Sequence, residues 1–203
     1  MSVQYTNRIG KSYTLCEGKT KTLKPRYFFT TQKKAKGEPL KHIPQGYEIY
    51  EHPENAQVFL RKIRPQMMTD NEKQLIEQLI KQMSSDKRYL ADHKDQFITI
   101  YESSSNTADL KNLFAGLIET SPVKADVNTA DLLNKLVDVA TPGYTAILRF
   151  ELVDVEERQF IAQRFCSRGA IDDWIHLAGS GKLDKLAKKY MERLGTEAFY
   201  EYP

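Results

Sequence analysis

Polar and apolar positions alternate in short runs through the first hundred residues, whereas further along the apolar residues recur mostly at helical spacing. Residues 11–17 (KSYTLCE) alternate, and 25–31 (PRYFFTT) carry the aromatic and threonine side chains that suit a pleated strand. The polar stretch 18–24 between them predicts a hairpin. A second hairpin is predicted from 47–51 (YEIYE) and 57–62 (QVFLRK), turning through Pro53 and Asn55. Between the hairpins, residues 33–45 hold Gly37, Pro39 and Pro44 with few apolar neighbours, the composition of a loop.

The spacing then changes to that of a helix over 70–84. Thr69 and Glu72 stand in the relation of a capping box, in which each side chain can satisfy the other's backbone donor. Leu75, Ile76, Leu79, Ile80 and Met83 follow as one apolar stripe. Residues 89–91 and 96–102 predict a further strand pair, and the polar run 103–106 (SSSN) marks a boundary. Beyond it, 109–120 and 128–140 read as amphipathic helices, and 144–153 with 158–167 as a long hairpin turning at 154–157. Ile171, Trp174, Ile175 and Ala178 recur at helical spacing and predict a short helix. Residues 182–194 predict a longer one, with Ser180 as its cap and Gly195 at the left-handed stop. The expected class is α+β: antiparallel hairpins with about five helices packed on the sheet or sheets. The expected organisation is a basic β-rich region, 1–104, holding the helix 70–84. An α+β region, 105–203, follows with the hairpin 144–167 and four helices, either separate or continuous with the first.

Charge sharpens that division. Residues 1–66 carry thirteen Lys/Arg against five Asp/Glu, a surplus of eight. Residues 67–203 carry seventeen against twenty-two, a deficit of five, and the chain as a whole is +3. A basic, aromatic-rich β region suits an anionic partner with flat faces to stack, of which nucleic acid is the obvious candidate. The cations that would hold it are Lys19, Lys21, Lys24, Arg26, Lys33, Lys34, Lys36 and Lys41, largely in connections between strands. Tyr27, Phe28 and Phe29 would supply the stacking faces. Strand alternation sends Phe28 opposite to Tyr27 and Phe29, so one side of this trio points away from the buried face unless both faces are covered.

A second cluster gathers near the C-terminus, where Arg164, Arg168, Asp172 and Asp173 accompany Cys166 and Trp174. Two arginines beside a predicted helix start could hold an anion, with an aspartate as base or metal ligand. The same residues also satisfy an architectural account, carboxylates in the first helical turn and Trp174 in the core, and that account is preferred. The segment 179–182 (GSGK) resembles the end of a phosphate-binding loop but lacks its earlier glycine and its final Ser/Thr. His42, His52, His93 and His176, with Cys16 and Cys166, show no ligand pair at metal spacing, so no metal or other cofactor is expected. Glu77, Lys94, Asp95 and Glu102 sit in elements a metal-dependent nuclease would use, yet no Asp/Glu-x-Lys stands on a strand.

No catalytic motif survives this reading. The expectation is a small binding protein whose basic N-terminal region contacts an anionic partner, with nucleic acid the first candidate. The alternatives are a protein–protein adaptor, or a metal-dependent hydrolase or nuclease with a site near 164–174. Two widely spaced cysteines and no apolar run of membrane-spanning length give a cytoplasmic expectation with no membrane partner.

Overall fold

The structure, a computed structural model, describes residues 1–31, 37–83, 88–104, 143–168 and 171–201. The expected helices at 109–120 and 128–140 lie outside the described residues. The rest falls into two compact units, one within residues 1–64 and one formed by 65–104 with 143–201.

Unit 1 is built from β1 (Gln4–Thr6), β2 (Ser12–Lys19), β3 (Pro25–Thr30), β4 (Glu38–Pro39), β5 (Tyr47–Glu51) and β6 (Val58–Lys62). β2 pairs antiparallel with β1, β3 and β4, and β5 with β6 forms a separate ribbon. The β2–β3 turn closes where the Thr20 N–H donates to the Lys24 carbonyl at 2.9 Å, with Leu23 in the left-handed region. Cross-strand pairing puts Leu15 beside Phe29 and Glu17 beside Tyr27 on one face, and Cys16 beside Phe28 on the other. Leu15 and Cys16 are both buried, so both faces are covered there.

Polar clasps add to the apolar contacts that hold this unit. Glu51 accepts from the Tyr5 hydroxyl (3.0 Å) and from Arg8 Nη1 (2.8 Å), and Arg8 also donates to the His52 and Pro53 carbonyls. Buried Asn7 donates from Nδ2 to the Ala56 carbonyl at 2.8 Å and accepts from the Lys11 N–H at 2.8 Å. Removing one such buried partner costs about 1–3 kcal/mol, because the group left behind is stripped of water.

Unit 2 comprises α1 (Asp70–Met83), β7 (Tyr89–Lys94), β8 (Phe97–Ser103), β9 (Tyr144–Asp154), β10 (Gln159–Arg168), β11 (Ile171–His176), α2 (Leu183–Met191) and α3 (Glu197–Tyr200). Its five strands run in the order β11-β10-β9-β8-β7, every neighbour antiparallel. Ile98, Ile100, Leu148, Phe150, Phe160 and Ala162 share a core with Ile76 of α1, with Leu183, Ala187, Tyr190 and Met191 of α2, and with Phe199. The capping box forms as predicted: the Thr69 N–H donates to Glu72 Oε2 (2.8 Å), and the Glu72 N–H to Thr69 Oγ1 (3.3 Å). Glu72 is also gripped by Arg158, which enters from the β9–β10 turn with Nε at 2.9 Å from Oε1. Burial pushes the Glu72 carboxyl up, but the Arg158 guanidinium and the Thr69 donors outweigh it and hold it below the usual carboxylate range.

The expected fold class needs correction. Among the described residues 45% are strand and 18% helix, with three helices, so the described part is mostly antiparallel β rather than sheets carrying about five helices. The predicted short helix around 171–178 is β11. Its helical spacing is overridden because β10 offers a free edge, and residues 171–176 pair with it in unbroken register from Arg168↔Ile171 to Gln163↔His176. Ser180 does not cap α2 either. Gly181 exchanges both backbone hydrogen bonds with Phe160 at 2.8 Å, which moves the helix cap to Lys182.

β8 and β9 pair as an antiparallel hairpin up to Ser103↔Tyr144, although residues 105–142 separate them. The Ser104 N–H and hydroxyl both donate to the Gly143 carbonyl at 2.8 Å. The two ends of that long connection are therefore tied together.

Candidate nucleic-acid interface

β3 and β6 are edge strands of their sheets, lying close to one another with no backbone ladder between them among the described residues. Tyr27 of β3 meets Tyr47 of β5 edge to face at 5.4 Å, which draws the ribbon against the sheet. Between the two edges opens a cavity of about 590 Å³. It is lined by Gly18 and Lys19 at the end of β2, by residues 26–29 of β3, and by Gln57, Val58 and Phe59 at the start of β6.

Lys19 and Arg26 are exposed, and no carboxylate pairs with either among the described residues. Tyr27, Phe28, Phe29 and Phe59 are half-buried, each anchored while leaving part of its ring accessible. Phe59 is backed by Tyr50, ring centroids 5.2 Å apart, and the Arg61 guanidinium covers Tyr50 at 4.0 Å while bonding Glu48 at 2.7 Å. Phe28 is held from behind at Gly37, where an added Cβ would come within 2.9 Å of the ring and 2.8 Å of the Glu17 carbonyl oxygen. The rings thus sit in fixed positions around the cavity.

Of the eight cations picked out by sequence, Lys19 and Arg26 come to this cavity. Lys21 and Lys24 are exposed around the β2–β3 turn, and Lys41 is exposed on the loop after β4. Lys33, Lys34 and Lys36 lie outside the described residues. The contribution of Gln57 and Phe59 depends on a non-local approach of β6 to β3, and no local pattern in the sequence announces it.

The C-terminal cluster is divided between the two faces of the sheet, with Arg164 and Asp173 on one and Asp172 on the other. Arg164 is buried and donates from Nη1 to the Phe199 carbonyl at 2.5 Å, anchoring α3. Arg168 closes β10 opposite Ile171. Register places Asp173 on the face of Cys166 and Asp172 on the opposite face, and Asp173 Oδ1 accepts from the Trp174 N–H at 2.7 Å. No group of three metal-ligating side chains occurs among the described residues.

Sequence reading overlooked Arg149. It is held between Trp174 (4.3 Å) and Phe97 (4.8 Å), and its Nε donates to Gln163 Oε1 at 2.5 Å. Burial lowers the pKa of its guanidinium, against the opposing pull of Glu151 and Asp173. A second recess, of about 260 Å³, lies between the starts of α1 and α2, but Glu72 and Arg158 already neutralise each other in it. Cys16 and Cys166 are both free, and burial raises the Cys16 thiol away from reactivity. No described helix is long and apolar enough to cross a membrane. No known protein family matches this sequence, and neither curated proteins nor solved structures yield a match.

Proposed function

We propose that unit 1 is a binding module for nucleic acid, working in the cytoplasm, where two free thiols are at home. The observation that carries this reading is the lining of the β3–β6 cavity: two exposed cations, four partly accessible aromatic rings and no carboxylate among its described residues. Phosphates draw lysine and arginine regardless of base sequence, while ring faces accept any base. Lys21, Lys24 and Lys41 extend the positive field around the cavity, and Lys33, Lys34 and Lys36 add three more cations to the segment between β3 and β4.

Binding is expected to be sequence-tolerant and to weaken steeply with salt. Fluorescence anisotropy across a salt series tests it. Each phosphate contact contributes about 0.7 to the logarithmic salt slope on single strands and about 0.9 on duplex. The double variant Lys19→Gln/Arg26→Gln should therefore flatten the slope by roughly 1.4–1.8, and neutralising Lys33, Lys34 and Lys36 by up to about three on duplex. No binding at low ionic strength ends this reading.

A further inference from the structure

Resting on that reading, we infer that the β3–β6 cavity takes an unpaired base, so that the ligand is a single strand rather than a duplex. Three features lead there. The rings of Tyr27, Phe29 and Phe59 line the cavity, and a base stacked inside a helix has no free face to lay against them. A duplex presents its phosphates outward and its base faces to one another, and would meet only the rim cations. The volume of about 590 Å³ lies in the range of pockets that enclose a small organic ligand, and it is far too small for a helical turn.

The cavity walls also offer polar recognition. β3 and β6 are edge strands of their sheets among the described residues, and backbone of both lines the cavity. Backbone polar groups can meet the edge of a base that has left its pair, whichever base it is. Lys19 and Arg26 stand at the rim, where the flanking phosphates of an entering strand would run. The 2′-hydroxyl has no dedicated partner in this account, and RNA and DNA strands should bind alike.

An open edge strand can equally receive an extended peptide, and a basic rim would favour an acidic one. The aromatic lining decides against it. Strand addition uses backbone bonds and alternate side-chain pockets, whereas this cavity concentrates flat rings from both walls.

The test compares a ten-nucleotide oligothymidylate, the corresponding oligouridylate and the thymidylate annealed to its complement, all at low ionic strength. Single strands should bind at least tenfold more tightly than the duplex. A 2-aminopurine placed centrally in the strand should lose fluorescence on binding as it stacks. Phe59→Leu should weaken single-strand binding roughly 5- to 150-fold, the loss of one stacked base, and restore that fluorescence. Should Phe59→Leu disturb folding, the exposed-site variant Arg26→Gln with the 2-aminopurine signal carries the test. Equal affinity for duplex with an unchanged fluorescence signal overturns the unpaired-base inference while leaving a nucleic-acid interface in place. Absence of binding to all three removes the interface itself. Displacement of the strand by an equally charged oligoglutamate peptide at equimolar concentration overturns it in favour of a protein partner.

Discussion

The two units of this chain solve the same problem, burying enough surface to hold antiparallel strands together, by different means. Unit 2 closes one face of a five-stranded sheet with helices, and its core runs from Ile76 through Phe150 to Met191. Unit 1 divides its strands between a small sheet and a ribbon, and among its described residues it buries Leu15, Cys16, Ala56 and Val58 as apolar side chains. It makes up the difference with Asn7, Arg8 and Glu51, and with aromatic rings that are only half covered. The difference teaches that an aromatic residue in a thin sheet can serve stability and recognition together. In a thick core the same ring is wholly enclosed and has no surface left to offer.

The largest effect that can break this comparison lies in unit 2. Phe150→Ala should cost about 3–5 kcal/mol, since the ring is fully enclosed and the sheet cannot collapse into its place. Hydrogen exchange should place the loss in residues 65–104 and 143–201, and a cost below about 1 kcal/mol would show that this core does not hold the unit. Next comes Asn7→Ala, expected to cost about 1–3 kcal/mol by stranding the Ala56 carbonyl and the Lys11 N–H. That loss should stay within residues 1–64, and a neutral result would mean that the ribbon is not held by its polar clasp.

Acid should separate the units further. His93 faces α1 from β7, and burial, aided by the Lys73 charge, lowers its pKa against the opposing pull of Asp92 and Glu77. The unfolded histidine then takes up its proton before the folded one, so unit 2 loses stability as pH falls through about 6.5, and the loss ends once the folded group protonates. Glu72 adds a second stage. Its carboxyl is held low, so the stability it lends is present above the ordinary carboxylate value and disappears below it. A urea series between pH 4 and 7 should show the first stage in the parent and not in His93→Gln. In alkali the direction reverses: Tyr89, pushed up to about 12 by burial and by Glu102, lends stability that fades as pH rises above 10. The smallest effect belongs to Lys21→Gln with Lys41→Gln, both exposed, which should leave stability within about 0.5 kcal/mol. A larger change would give these lysines a structural role that their exposure does not suggest.

What could be read from the sequence followed from interactions close along the chain. The Thr69–Glu72 box and the 154–157 turn each rest on a few neighbouring residues and stand as predicted, whereas Gly195 takes the left-handed φ of 78° but α2 already ends at Met191, capped at Glu192. β11 was misread because Ile171, Trp174, Ile175 and Ala178 satisfy a helical repeat locally. The free edge of β10 that captures them is a property of the assembled sheet. The same holds for the cavity: Lys19, Arg26 and the β3 aromatics were legible, but their placement opposite Phe59 arises from packing between β3 and the ribbon. Arg149 escaped notice because Phe97 and Trp174, which sandwich it, come from β8 and β11 and converge only in the folded sheet.

The hairpin tied at Ser104 and Gly143 has a kinetic consequence. β7 with β8, and β9 with β10 and β11, pair between strands that follow closely in sequence, whereas the seam between β8 and β9 must first bring together strands separated by residues 105–142. Each doubling of a loop adds about 0.6 kcal/mol to the entropy of closure. Two local halves should therefore form early and the central seam last, even though Ile98, Leu148 and Phe150 beside it are among the most enclosed side chains of the finished protein. Pulse-labelled exchange during refolding should find the β8–β9 amides protected after those of β9–β10, and protection in the opposite order would mean that the long connection closes before the short turns. A seam that forms last holds the two strands most exposed to wrong pairing during synthesis, and the double hydrogen bond at Ser104 acts as the latch that ends that exposure.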